Sequence, residues 1–206
     1  MSRYTDASCR LCRRESQKLY LKGDKCFSKC TLEKRPTPPG MHARVRRPSE
    51  YGTQLREKQK ARRFYGVGEK QFRNYFVRAS KTRGVTGEVL MGLLERRLDN
   101  VVYRAGFARS RKEARQIIGH GHIEVNGRKV DIPSFLTSAG DEVKLRPHAL
   151  KLDKFKAMAE GLAGHNVPAW MELDADNWKC TILRMPEREE VDAPVDERLI
   201  VELYSK

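Results

Sequence analysis

Cys9 and Cys12 have two residues between them, Cys26 and Cys30 have three, and thirteen residues separate the two pairs. Close cysteine pairs can each present two sulfurs to one ion, and zinc takes four such ligands in a tetrahedron. All four cysteines fall within 22 residues of a segment that has little else to stabilise it. The spacing therefore predicts one bound zinc ion. Four thiolates around a divalent ion leave a charge of about −2. Arg10, Arg13, Arg14, Lys25 and Lys29 crowd the same loops, where they would offset that charge and favour deprotonated sulfur. Free thiols and an iron–sulfur cluster stand as the alternatives. Cys180 is isolated and reads as a small buried apolar residue.

A second chemistry is cationic. Ser110-Arg111-Lys112-Glu113 has the form of a capping box, so a short helix is expected from Arg111 to Gly119. A tight turn before it would bring Arg104, Arg109, Arg111, Lys112 and Arg115 together, with 111 and 115 neighbours at i, i+4. A guanidinium fork suits bidentate contact with phosphate, so this face could lie along an RNA backbone. The competing assignment is that some of these arginines hold structural carboxylates, with Arg97 or Arg104 against Asp99. Gly119-His120-Gly121-His122 lacks cysteine or carboxylate partners for a metal and reads as a helix stop running into a strand.

The charge balance points the same way. Forty-two Lys and Arg against 27 Asp and Glu give +15. Residues 1–90 hold 23 basic and 8 acidic side chains, residues 91–150 hold 11 and 7, and residues 151–206 hold 8 and 12. So lopsided a field calls for a polyanion, most commonly nucleic acid. The arginines spread over several elements rather than one recognition helix, which favours folded RNA read by shape over duplex DNA. No run of 18 apolar residues exists to cross a membrane. Met1 to Asp6 lacks the apolar run of a secretory signal, so a cytosolic setting with reduced thiols is expected.

These groups need elements to position them. Residues 1–48, with Pro36, Pro38, Pro39 and Pro48, read as irregular and too poor in apolar residues to bury a core alone. Gln54 to Tyr65 is charged almost all round, as in a helix lying between polar partners. Phe72, Tyr75, Phe76 and Ala79 mark one face of a helix over 69–81. Leu90, Leu94, Leu98, Val101 and Ala105 form a single stripe that starts near a Thr86 cap and is stopped by Gly106. His122 to Val125 alternates as a strand, Asn126-Gly127 signals a hairpin turn, and Arg128 to Val130 returns. Asp141 to Leu145, Trp170 to Leu173 and Lys179 to Leu183 read as further strands. A helix is expected over about 151–162, an acidic linker over 187–196, and a terminal helix, with a strand as the alternative, around Leu199, Ile200 and Leu203.

The block from Arg97-Leu98-Asp99 through Arg104-Ala105-Gly106, Ser110-Arg111, Ala114-Arg115-Gln116 and Gly121-His122 to Val125-Asn126-Gly127 resembles the small RNA-binding module named after small-subunit ribosomal protein four. The rest of the chain resembles bacterial members of that ribosomal protein family. The segments that carry the likeness are Pro38-Pro39-Gly40-Met41-His42, Tyr51-Gly52 with Gln54 to Lys60, Gln71 to Phe76, and Leu199 to Lys206. Met41 and Ala43 depart from the family's Pro-Pro-Gly loop. The cysteine knuckles are similar to those of the zinc-carrying branch.

The resemblance implies an α+β architecture. A zinc-stapled arm covers residues 1–45, a helical body covers about 46–88 and 186–206, and residues 89–185 are an inserted helix–turn–helix with a small antiparallel sheet. It implies a primary binder of 16S ribosomal RNA that helps nucleate small-subunit assembly. It also implies a place beside the path along which mRNA enters, a part in translational accuracy, and neighbours that include the family of protein five. The candidate RNA contacts are Arg44, Arg46, Arg47, Arg56, Lys58, Arg62, Arg63 and Arg73 in the basic first half. In the module they are Arg104, Arg109, Arg111, Lys112, Arg115 and His122. An enzyme carrying the same module, such as a pseudouridine synthase or a tyrosyl-tRNA synthetase, needs well over 150 further residues for catalysis, and this chain has no room for them.

Overall fold

The computed structural model describes residues 4–41, 47–162 and 164–205. In chain order the elements are α1 (Cys9–Glu15), α2 (Lys25–Ser28), α3 (Thr31–Lys34), α4 (Glu50–Phe64), α5 (Glu69–Lys81), α6 (Thr86–Glu95), α7 (Leu98–Arg104) and α8 (Arg111–Gly119). There follow β1 (Ile123–Val125), β2 (Arg128–Lys129), β3 (Glu142–Leu145), α9 (Pro147–Leu150), α10 (Asp153–Leu162), β4 (Met171–Asp174), β5 (Lys179–Ile182) and α11 (Glu197–Ser205). Residues 1–91 with 192–206 form one compact unit, and residues 92–191 form another.

In the first unit, the Ser49 hydroxyl starts α4 by accepting the Gly52 amide at 3.2 Å. The helix buries one stripe, Gln54, Lys58, Ala61 and Phe64, so its inner face is polar at one end and apolar at the other. Helix α11 packs along α4. Gln54 Nε2 donates to Glu202 at 3.0 Å, and Ile200 is buried. Helix α5 buries Phe72, Tyr75 and Ala79, the period-3.6 face expected of it. Tyr204 of α11 stacks on Phe76 with ring centroids 4.5 Å apart and on Phe72 at 6.5 Å. Its hydroxyl is pushed up to about 12, chiefly by burial and then by the neighbouring Glu69 carboxylate.

The arm is less irregular than its composition suggests. It forms three short helices, α1 to α3, and belongs to the first unit rather than standing apart. Its anchor is Glu15, whose side chain is 1% exposed and forms ion pairs with Arg63 and, at 3.4 Å, with Arg56 of α4. The body supplies the partner that the arm needs, through a charge rather than an apolar stripe.

The second unit is a five-stranded antiparallel sheet in the order β2-β1-β3-β5-β4. Its core runs from Leu98, Val101 and Val102 of α7 through Ala114, Ile117 and Ile118 of α8 to Ile123, Val125, Val143 and Leu145, and includes Trp170, Trp178 and Phe155. Asn126 and Gly127 both take positive φ, 50° and 75°, as a two-residue hairpin turn requires. Cys180 is fully buried, and burial pushes its thiol up to about 12.

The expected single stripe from Leu90 to Ala105 is interrupted. Arg97 is extended (φ −67°, ψ 136°) and bridges to Leu136. The Leu98 and Asp99 amides donate to Phe135 and Pro133 carbonyls at 2.8 and 3.1 Å, and the Thr137 amide donates to Arg96 at 2.9 Å. A distant loop therefore satisfies the backbone at the break, which local periodicity cannot signal. The helix expected over 151–162 is α10, and a separate short helix, α9, precedes it with Pro147 at its start.

Phe72 is fully buried. Phe72→Ala should cost about 3–5 kcal/mol by urea denaturation, whereas Val77→Ala, at an exposed position on the same helix, should change stability by less than about 0.5 kcal/mol.

Candidate nucleic-acid interface

Two carboxylates organise the cations of the second unit. Asp99 is 1% exposed. It accepts Arg97 Nε at 3.0 Å and Nη2 at 2.8 Å, and Arg115 Nε at 2.6 Å. Glu95 is equally buried and accepts Arg104 Nη2 at 3.0 Å and Asn100 Nδ2 at 2.6 Å. Arg111 is buried too: its Nε donates to Asn100 Oδ1 at 2.8 Å, and its guanidinium carbon lies 4.5 Å from the Tyr103 ring centroid. The turn between α7 and α8 thus brings Arg104, Arg111 and Arg115 together as expected, but on interior acids and an amide. The reading of Arg97 against Asp99 holds, whereas Arg104 pairs with Glu95.

Arg109 and Lys112 are exposed on the same turn and helix. The Ser110 hydroxyl caps α8 by accepting the Glu113 amide at 3.3 Å, while Glu113 Oε2 reaches the Arg109 amide at 2.7 Å, one residue earlier than the standard box. Strand β2 presents Arg128 and Lys129 to solvent. His122 Nδ1 lies 3.1 Å from His148 Nε2, and its ring centroid is 5.9 Å from that of His120. Burial, followed by the charges of His148, His120, Lys154 and Arg146, holds the His122 imidazole below its ordinary value. Lys154 pairs with Glu113 at 2.8 Å. Sequence reasoning missed Glu95, Asn100 and His148. The first two carried no local signal, because their partners lie five to eleven residues along and round a turn.

In the first unit, Lys58 and Arg62 both pair with Glu69, Arg62 at 3.3 Å, and Lys58 Nζ lies 5.8 Å from the Tyr204 ring centroid. Arg56 and Arg63 hold Glu15, whose carboxyl burial pushes above its ordinary value despite both cations. Arg47 and Arg73 are exposed. Arg44 and Arg46 lie outside the described residues, as does His42 of the Pro-Pro-Gly loop.

Cys9 and Cys12 sit on α1, Cys26 on α2, and Cys30 at the N-cap of α3. Burial raises the buried Cys12 thiol, a hydrogen bond from the Leu19 backbone lowers it, and the charges of Cys26, Cys9 and Cys30 raise it. The Lys22 amide donates to Cys26 Sγ at 3.3 Å. Cys12 and Cys26 thus each face a backbone amide. Among the described residues, however, no group of three or more His, Cys, Asp or Glu side chains is gathered closely enough to hold a metal ion. The zinc-stapled arm expected from the spacing is therefore not supported by the structure of the described residues.

Residues 3–95 match the family described as ribosomal protein S4/S9 N-terminal domain, and residues 96–143 match the S4 domain. The chain is 60% identical over 208 residues to small ribosomal subunit protein uS4A of Symbiobacterium thermophilum, with both chains covered in full. Over 209 residues, again with full coverage of both chains, it is 56% identical to small ribosomal subunit protein uS4 of Syntrophomonas wolfei and 54% identical to that of Thermus thermophilus.

Asp99→Asn would leave Arg97 and Arg115 facing a neutral amide in a sealed site. Unpairing such a buried ion pair should cost about 3–5 kcal/mol, read as a lower urea midpoint at unchanged slope. A loss under about 1 kcal/mol would show that the pair is not what holds α7 against α8.

Proposed function

Because the chain belongs to the uS4 family of small ribosomal subunit proteins, we propose that it acts as a primary binder of 16S rRNA that helps nucleate assembly of the small subunit. It is a structural component of the ribosome, not an enzyme, and works in the cytoplasm where ribosomes do. The observation that carries this reading is full-length identity of 60% to a protein of that name, joined to a basic first half and an S4 domain whose arginines are fixed in place. No described helix is long and apolar enough to cross a membrane.

Two grades of cation divide the binding work. Arg104, Arg111 and Arg115 are a frame whose guanidinium planes are oriented by Glu95, Asn100 and Asp99. Arg109, Lys112, Arg47 and Arg73 are exposed and supply charge to the backbone. Arg56 and Arg63 are held by Glu15, and Lys58 and Arg62 by Glu69, so they extend the oriented frame, Lys58 itself being buried. His122, beside His148 and Lys154, completes the set on the module, and Arg44 and Arg46 are proposed contacts as well. Contacts with mRNA where it enters, with neighbours such as the protein-five family, and through them an influence on translational accuracy belong to the same proposal. They are supported by the family resemblance alone.

The four arm cysteines are proposed to bind one zinc ion, a reading supported by their spacing. Atomic absorption on protein purified in reducing buffer should find about one equivalent, with Cys180→Ala unchanged and Cys9→Ala depleted. Under half an equivalent in the unsubstituted protein overturns it.

Each phosphate contact releases condensed counterions, so affinity for 16S rRNA should fall with a log–log salt slope of about −0.7 to −0.9 per phosphate. With roughly six to ten contacts, affinity should drop at least about a thousandfold between 50 and 200 mM salt. Arg109→Ala with Lys112→Ala should make the slope shallower by about one to two. A slope that does not change removes that face from the interface.

A further inference from the structure

Tyr20 is one of four described non-glycine residues with positive φ, at 50°. Left-handed backbone is uphill for a bulky side chain, and such strain persists only where the surroundings enforce it. Here the enforcement is visible. Leu19 is fully buried beneath the loop, Gly23 follows at φ 61°, and the Lys22 amide is tied to Cys26. The result is that the Tyr20 ring lies against the Phe27 ring, with centroids 5.1 Å apart and planes 29° from parallel. Phe27 nevertheless remains 70% exposed.

That arrangement buries little, so hydrophobic burial does not account for it. Phe27 lies on α2 between Lys25 and Lys29, with Lys22 in the preceding loop, and all three are exposed; the acidic neighbour is Asp24, at the N-cap. A stable protein interface buries about 800 Å² on each side, far more than one ring rimmed by ammonium groups can offer. A single ring is instead the size of a nucleobase, and lysines around it suit the adjoining phosphates.

We propose that Tyr20 and Phe27 form a preset stacking platform for one unpaired RNA base, with Lys22, Lys25 and Lys29 facing the flanking phosphates. The proposal rests on the RNA-binding reading above and adds a single-stranded contact to it. Tyr20 holds Phe27 in place, so little rotamer entropy is lost when the base arrives.

The test uses the full-length protein and transcribed 16S rRNA, comparing Phe27→Ala, Phe27→Leu and Phe27→Trp by filter binding and by base-specific chemical probing. Phe27→Ala should weaken binding about five- to a hundredfold and expose one or two nucleotides that the unsubstituted protein protects. Phe27→Leu should lose nearly as much, and Phe27→Trp should bind as tightly as the unsubstituted protein. Melting temperatures should agree within a degree or two, because the ring is exposed. If Phe27→Ala binds within twofold with an unchanged footprint, or if Phe27→Leu restores affinity, the platform is overturned while the rRNA-binding reading stands. If the unsubstituted protein fails to prefer 16S rRNA to duplex DNA at matched salt, that reading falls and the platform with it.

Discussion

Buried carboxylates holding arginines are the interaction on which this structure depends. A chain with 42 basic and 27 acidic side chains repels itself as it compacts. Glu15, Glu95 and Asp99 have side chains only 1–2% exposed. Between them they take up Arg56, Arg63, Arg97, Arg104 and Arg115. Sealing a carboxylate away from water costs several kcal/mol unless it is well paired, and each of these accepts from two side chains. In return each fixes the planes of two groups that would otherwise rotate freely. Charge that would oppose folding is converted into geometry.

That conversion decides what could be read in the sequence. Helix α5, helix α8 and the β1–β2 hairpin were legible because their signals are local: a period-3.6 face over Phe72, Tyr75 and Ala79, a Ser110 cap, and an Asn126-Gly127 turn. The break at Arg97 was not, because the hydrogen bonds that satisfy it come from residues 133–137. The helices of the arm were not either, because Glu15 finds its partners more than forty residues away on α4. At the candidate site the sequence identified the cluster of arginines but not its direction. An arginine aimed at phosphate and one aimed at a buried carboxylate have the same local pattern, and only the placement of Glu95, Asn100 and Asp99 separates them.

The arm illustrates how two weak supports combine. Cys12 of its first helix is buried, and that helix is pinned to α4 by Glu15. Neither support depends on an apolar stripe, which the arm lacks. The Glu15 pairing acts at the end of α1, and Cys12 is buried one turn before it.

The sheet of the second unit carries a polarity that the total charge conceals. Its strand order puts β2 and β4 at opposite edges. Strand β2 presents Arg128 and Lys129, while β4 presents Glu172 and Asp174, the latter held below its ordinary value by hydrogen bonds from Asn177. Four inter-strand steps of about 4.8 Å separate the edges by roughly 19 Å, about twice the screening length near physiological salt. The two fields therefore do not cancel. A polyanion is drawn to the β2 edge and repelled from the β4 edge, and charged edges also discourage pairing with strands of other chains. The acidic residues of β4 are thus consistent with nucleic-acid binding: they limit the directions from which RNA can approach this sheet, and leave the β2 edge as the favoured one.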